Sequence, residues 1–399
     1  MDMESGNGAM SDAMNFDEPE HVRMLRDQTR RFVAEHMPRA KAREWDRGNI
    51  FPREVFDKFA ALGMMGLTTE ERYGGAGVDI YATMAVIEEI AKRSVALACP
   101  YIMAVCYAGM NLGESASEEQ KETLLPKVAA GKLMFAYGLS EPNVGGDLAT
   151  VETTAAREGD EIVLNGAKRW CTGAHIADYI FCLARSGPRE EKYKNLSIVL
   201  VPADAAGLTI TPLGHLGIRG VETKDVILEN VRVPAANILG GPEKWNKGWG
   251  QLAGRALEVE KLELSACALG LAEAALADAW TYAEERVQFG KPIAHHQAIR
   301  HSLAEARTKV QAMRHMLYHA AWLANNNRPC SVETSMAKLF CCEGAAEVSE
   351  QAIRVVGAYG LSDDMDLERY LRDAKSLPIV GGSSNMQKNN IANRLKLGA

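Results

Sequence analysis

The spacing of apolar residues changes twice along the chain, and this double switch limits the fold more than any single motif. From about residue 16 to 133, charged and apolar residues follow helical spacing, as in HVRMLRDQTRRFVAEH and EVFDKFAALGMMG. From about 135 to 240 short β-type runs take over: 162–164, 179–183, 196–201, 208–211 and 226–233, separated by Gly, Pro and Asp. From about 249 onward helical spacing returns over long stretches. Leu262, Ala266, Leu269, Leu276 and Trp280 fall on one expected apolar stripe, and Leu303, Val310, Met313 and Leu317 on another. Long amphipathic helices in series predict an antiparallel bundle, and several short strands predict a barrel or small sandwich. The expected fold is α+β and multidomain. It has a disordered tail over 1–14, a helical domain over 15–134, a β-domain over 135–245 and a helical bundle over 246–399.

Two turn signals refine this picture. The cluster Tyr73-Gly74-Gly75-Ala76-Gly77 predicts a break between helices. Asn165-Gly166, flanked by β-type residues, predicts a two-residue hairpin turn.

Composition excludes several classes. Apolar residues make up 47% and charged residues 24%, and the net charge of −7 offers no basic surface for nucleic acid or anionic membrane. No uncharged apolar run is expected to cross a bilayer. The start, MDMESGNGAMSDAM, has neither the apolar core of a secretory signal nor the arginines of a mitochondrial leader, so a cytoplasmic protein is expected. Eight cysteines occur without a C-x-x-C pair and read as reduced core residues. His315 and His319 share a helical face, but no H-E-x-x-H pattern accompanies them, and no metal is expected. Neither G-x-G-x-x-G nor a P-loop is present, so any dinucleotide is held by other means.

Four separated segments carry a family resemblance: AYGLSEPNVGGD at 136–147, NGAKRWCTG at 165–173, RVQFGKPI at 286–293 and RDAK at 372–375. In this order they resemble the acyl-CoA dehydrogenase family, whose helix–β–helix order is also the one expected here. The resemblance implies FAD between the β-domain and the bundle, an acyl-CoA substrate, an electron-transferring flavoprotein as partner, and a homotetramer or homodimer. Trp170 would stack on the flavin and the hydroxyls of Ser140 and Thr172 would bond its polar edge, with Tyr137 and Leu139 beside them. Taken alone, Trp170 reads as a barrel core residue. Arg286, Gln288 and Phe289 resemble residues that reach a neighbouring subunit's FAD diphosphate, with Gln297, Arg354, Gly357, Ser383 and Asn385 as further cofactor contacts. Arg286 alone reads as a solvated helix-end residue. Arg354 departs from the Gln usual in the family.

Many members carry the catalytic Glu on a loop that here reads IVGGSSN, and the position is Gly381. A subset that includes isovaleryl-CoA dehydrogenase, long-chain dehydrogenases and crotonobetainyl-CoA reductase places it on the first long C-terminal helix. There the matching residue is Glu260. Helical geometry stands it above Leu264, Cys267 and Leu271 on an apolar face, which predicts a desolvated carboxylate with a raised pKa. An interhelical salt bridge is the plain alternative, and Glu258 and Glu263 are rival bases if the register shifts. Gly146, Glu258, Lys261, Gly381 and Gly382 are expected at the substrate, with Lys261 standing where relatives have Arg. The implied reaction is α,β-dehydrogenation of an acyl thioester. The paired glycines suggest room for a branched or bulky acyl group. Tyr101, Cys106 and Tyr107 are candidates for the tail site, although core packing is the plainer role. Other readings are an enoyl-CoA reductase, a flavin oxygenase or oxidase, and a non-catalytic FAD-binding interaction protein.

Overall fold

A computed structural model describes residues 17–398, so the tail expected over 1–14 lies outside the described residues. The N-terminal helices are α1 (Glu20–His36), α2 (Arg39–Gly48) and α3 (Arg53–Ala60). A two-residue ladder, β1 (Thr68–Thr69) with β2 (Gly77–Val78), then brackets the expected glycine turn. A side-chain carbon on Gly75 would lie 1.9 Å from the Thr69 carbonyl oxygen, so only glycine lets the two strands close.

Helices α4 (Ile80–Ala91), α5 (Val95–Ile102), α6 (Asn111–Ser115) and α7 (Glu118–Ala129) follow, with a π-helical stretch at Met103–Met110 joining α5 to α6. The run Val95–Ser115 has a mean hydropathy of 1.6 and enough length to cross a bilayer, contrary to the sequence expectation. It is 89% buried inside the molecule, which accounts for its apolar character as a core helix.

The β-domain holds β3 (Phe135–Gly138), β4 (Thr154–Glu158), β5 (Glu161–Thr172), β6 (Tyr179–Arg185), β7 (Leu196–Pro202), β8 (Leu208–Pro212) and β9 (Thr223–Pro234). They form one seven-stranded sheet in which β3 and β4 run parallel to β6 and the remaining pairs are antiparallel. Asn165-Gly166 is not a hairpin turn. Strand β5 runs straight through it, with a register shift against β9 between Leu164 and Gly166. Gly166 has φ of 149°, and a side-chain carbon there would meet the Thr153 backbone at 2.6 Å, so this glycine serves close strand approach. The hairpin lies at Gly159-Asp160, between β4 and β5, with Gly159 at φ 63°.

The C-terminal part contains α8 (Gly248–Leu252), α9 (Arg255–Glu285), a short hairpin of β10 (Val287–Gln288) and β11 (Lys291–Pro292), then α10 (Gln297–Asn325), α11 (Ser331–Val356), α12 (Leu367–Ser376) and α13 (Ser384–Arg394). The second apolar stripe is buried as expected. On the first, Trp280 is the exception at 43% exposed, its indole N–H donating to Glu284 at 2.9 Å. Helix α9 crosses α4 closely: a side-chain carbon on Gly270 would lie 2.3 Å from the Glu88 carbonyl oxygen. The buried Glu88 carboxylate pairs with Arg26 at 2.9 Å and Arg314 at 2.6 Å, joining α1, α4 and α10 in one ion network. One apolar core runs through both helical regions and one side of the sheet.

Candidate active site

Helix α9 begins where its free N–H groups meet a carboxylate from another helix. Glu114, on α6, accepts from the backbone N–H of Arg255 and Ala256, both at 2.8 Å, which suits the positive end of a helix dipole. The start of α9 is thereby tied to the N-terminal domain, and Glu260 follows in the second turn. Glu260 is half-buried by surface area but enclosed by protein on most sides. Burial pushes its carboxyl up to about 7, while the Lys261 and Lys338 ammonium groups pull in the opposite direction.

Facing it is the turn between α12 and α13. Gly381 and Gly382 adopt φ of 57° and 80° there, a region that favours glycine. A side-chain carbon on Gly381 would lie 3.5 Å from Glu260 Oε1 and 2.1 Å from Leu264 Cδ1. The loop position and the helix position therefore address the same space. Leu264 already fills the room that the missing side chain leaves, so the glycines do not open space for a larger acyl group at this point.

Hydrogen bonds pin the turn. Lys338 donates to the Leu377 carbonyl at 3.0 Å, and Gln387 donates to the Gly382 carbonyl at 2.9 Å. Ser384 donates to Glu343 at 2.5 Å, and the Ser383 hydroxyl caps α13 by accepting from the Met386 N–H at 3.4 Å. Asn385 is exposed on the first turn of α13. A side-chain carbon on Gly146 would approach the Met386 sulfur at 3.4 Å, which brings the 139–147 loop against the same helix.

The two other acids on α9 differ sharply from Glu260. Glu258 pairs with Lys261 at 2.7 Å and accepts from Ser331 at 3.0 Å and from Thr334. Burial works to raise it, yet Lys261 and these hydroxyls together hold it below the usual carboxylate range. Lys261 is itself buried and also donates to Ser335 at 3.2 Å, so this pair faces α11. Glu263 is fully buried, and among the described residues only the Cys106 thiol and the Tyr107 hydroxyl come near its oxygens, neither in a hydrogen bond of normal geometry. Burial, then the charge of Glu260, drives its pKa well above the ordinary value, and the nearby Cys106 thiol and Tyr107 hydroxyl offset this only in part.

Glu260 and Glu263 lie among residues from two other regions. Both acids influence Tyr107, on the π-helical stretch, and Tyr137, on β3. The two phenol rings stack at 3.9 Å between centroids, 13° from parallel, and Asn111 donates to the Tyr137 hydroxyl at 2.8 Å. From Tyr137 the chain leads into Leu139 and Ser140. The Leu139 carbonyl accepts from the buried Lys168 ammonium at 3.2 Å, and the Ser140 carbonyl accepts from the Arg169 N–H at 2.9 Å.

Those bonds fix the loop to a bulge in β5. The register against β9 shifts between Lys168 and Cys171, and Trp170 occupies the bulge with φ of 65°. Trp170 is 56% exposed, so it is not a barrel core residue. The bulge turns it out of the sheet, and a large aromatic ring in a left-handed conformation facing outward is costly without a partner. Thr172, the next outward residue, shares a hydrogen bond with Thr223 at 3.2 Å.

The remaining expected cofactor residues gather elsewhere on this chain. Phe289, at the tip of the β10–β11 hairpin, is 93% exposed with φ of 53°, and Gln288 beside it is exposed too. The Arg286 guanidinium lies 6.0 Å from the Tyr359 ring centroid, on the turn that Gly357 opens with φ of 74°. Arg354 is exposed and pairs with Glu350 at 2.5 Å, and Gln297 is exposed at the start of α10.

Comparison with known proteins covers almost the whole chain. Family models for the acyl-CoA dehydrogenase N-terminal, middle and C-terminal domains match residues 19–132, 136–231 and 246–396. The probable acyl-CoA dehydrogenase YngJ of Bacillus subtilis is 38% identical over 96% of this chain and 100% of its own length. A 3-(aryl)acrylate reductase of Clostridium sporogenes is 36% identical over 89% of this chain and 93% of its own. A solved glutaryl-coenzyme A dehydrogenase in complex with glutaryl-CoA superposes with a TM-score of 0.91 at 32% identity, covering 96% of this chain and 97% of that one.

Proposed function

The chain belongs to the acyl-CoA dehydrogenase family of oxidoreductases, and from that premise we propose that it desaturates an acyl-CoA thioester between the α and β carbons, with Glu260 as the base. The observation that carries this reading is the state of Glu260. It is a carboxyl pushed up to about 7 by burial, beside the turn where many relatives place their own acid. Glu258 is locked in an ion pair, and Glu263 is sealed in the interior with its pKa pushed well above the ordinary carboxylate range by burial, so neither rival is placed to act as the base. An isolated carboxylate removes a thioester α-proton poorly. The backbone N–H groups of the pinned Gly381–Ser383 turn are suited to hold the thioester oxygen as negative charge develops.

The outward face of β5 fits FAD. Trp170, turned out of the sheet by its bulge, offers a stacking face, and Ser140 and Thr172 offer hydroxyls beside it. When bound, FAD supplies the acceptor for the hydrogen leaving the β carbon. Arg286, Gln288 and Phe289 stand on an exposed hairpin suited to reaching the cofactor of a second copy, which supports a homodimer or homotetramer. An electron-transferring flavoprotein is the proposed oxidant.

The test is anaerobic bleaching of the flavin absorbance by a panel of acyl-CoA thioesters. Bleaching by a saturated thioester supports the dehydrogenase; flavin that no saturated thioester bleaches overturns it. The similarity to a 3-(aryl)acrylate reductase supports a second arm, reoxidation of the reduced flavin by an enoyl thioester, which detects the reverse direction. A base with a pKa near 7 must be ionised to act. The rate of bleaching should therefore rise with pH through about 7 and level off above it. A flat profile between pH about 6 and 8 would remove Glu260 from the role.

A further inference from the structure

Two lysines act on the proposed base, and the fold treats them differently. Lys261 pairs with Glu258 at 2.7 Å and donates to Ser335 at 3.2 Å, so its charge is committed to that acid. Lys338, on α11, is 0% exposed and forms no ion pair among the described residues. Its ammonium carries three donors, and the acceptor it meets is the Leu377 carbonyl at 3.0 Å. A neutral amide would hold one carbonyl without the expense of burying a charge. The charge has a use beyond that bond where an anion must form beside it.

Leu377 and Ser384 bound the turn that faces Glu260. Lys338 holds the first through its carbonyl, and Glu343, five residues further along α11, accepts from the Ser384 hydroxyl at 2.5 Å. One helix thus grips both ends of the turn, and between them a side-chain carbon on Gly381 would lie 3.5 Å from Glu260 Oε1. The groups facing Glu260 are Lys261 and Glu263 on its own helix, Lys338 on α11, Cys106 and Tyr107 on the π-helical stretch, and Tyr137 on β3. Those facing Lys338 are Cys342 and Glu343 on α11 and Glu260 on α9. Burial raises the Glu260 carboxyl against the pull of both lysines, and burial lowers Lys338 against the pull of its three neighbours. Of the two lysines, Lys338 is the one whose charge no carboxylate partner takes up.

We propose that Lys338 is a positioning residue for the reaction: it anchors the turn whose N–H groups are suited to hold the thioester oxygen, and its charge favours the ionised form of Glu260. This rests on the reading of Glu260 as the base. In this role Lys338 touches neither substrate nor cofactor, and acts through the turn on one side and the carboxylate on the other.

The experiment follows flavin bleaching by an acyl-CoA thioester across pH in wild type, Lys338→Met, Lys338→Gln, Lys338→Arg and Ser384→Ala, with flavin content as the check on folding. Either neutral variant should lower the plateau rate by about 10-fold or more, as displaced oxyanion donors predict, with little change in the thioester concentration that gives half of it. It should also move the midpoint of the rise upward by at least about 0.5 pH units, because an opposite charge near the carboxylate is gone. Lys338→Arg keeps the charge and should leave the midpoint near that of wild type. Ser384→Ala loosens the other end of the turn without removing a cation, so its plateau should fall while its midpoint stays. A merely structural lysine would give the neutral variants this same pattern, and an unmoved midpoint in them overturns the proposal while leaving Glu260 as the base. If neither neutral variant retains flavin, Ser384→Ala decides: a lowered plateau supports the grip of α11 on the turn, and a wild-type plateau overturns it. A wild type whose rate does not rise through about 7 overturns the reading of Glu260, and the role of Lys338 with it.

Discussion

Replacing Glu260 by Gln should slow substrate-dependent bleaching of the flavin by about 10²–10⁴-fold, the range expected for loss of a general base. Flavin content and thermal stability should change little. Glu260 is half-buried and carries no side-chain ion pair or hydrogen bond among the described contacts, so the amide replaces it without breaking a network. Glu258 is the informative control. Its carboxylate is committed to Lys261, Ser331 and Thr334, and Glu258→Gln should lower stability while leaving a far larger share of the rate. The two variants thus separate chemistry from architecture on one helix. A Glu260→Gln enzyme that bleaches within about threefold of wild type would remove the base from α9. Rates measured on both sides of pH 7 strengthen the test, because the amide has no titration. The wild-type rise through about 7 should be absent from whatever activity the variant retains.

How much of this was legible in the sequence depends on whether a feature is set by one element or by several. The helix–β–helix order follows from the period of apolar residues, which burial imposes directly. Glu260 is singled out by the resemblance of its helix to the family members that carry the base there, and helical periodicity adds only that Leu264 and Cys267 are its neighbours on that helix. Asn165-Gly166 misleads for the opposite reason. Local turn propensity is real there, but the strand that passes Thr153 needs a residue with no side chain, and long-range pairing wins over the dipeptide. The exposure of Trp170 comes from a register shift between two strands, which the spacing of one strand does not carry. Glu263 is harder still. Its neighbours Cys106 and Tyr107 lie on a π-helical segment, whose wider turn rotates the faces that a regular helical period would assign.

The largest stability effect is expected beneath the proposed cofactor face, at the ion pair of Lys168 and Glu141. Their side chains are 0% and 2% exposed and meet at 2.8 Å. Lys168 also donates to the Leu139 carbonyl at 3.2 Å, and Glu141 accepts from the backbone N–H of Glu152 at 2.5 Å and of Thr153 at 2.8 Å. The pair therefore joins the 139–147 loop to β5 immediately before the Trp170 bulge. Lys168→Met keeps most of the side chain's apolar stem but strands the Glu141 carboxylate in the interior, and breaking a buried pair in this way costs about 3–5 kcal/mol. The variant should melt well below wild type and release flavin more readily, because Leu139, Ser140 and Trp170 lose their common anchor. The sign of the pH dependence follows from Glu141. Burial works to raise its pKa, but Lys168 and the N–H donors hold it below its ordinary value. Its stabilisation is thus present above the unfolded-state pKa and is lost as pH falls through the lower folded value. Without Lys168 the folded pKa climbs, so the deficit of the variant is greatest at neutral pH and narrows in acid, where Glu141 takes up a proton. Melting temperatures of both proteins between pH about 4 and 8 measure this gap. A gap that stays constant or widens in acid would mean that the two side chains contribute packing rather than charge.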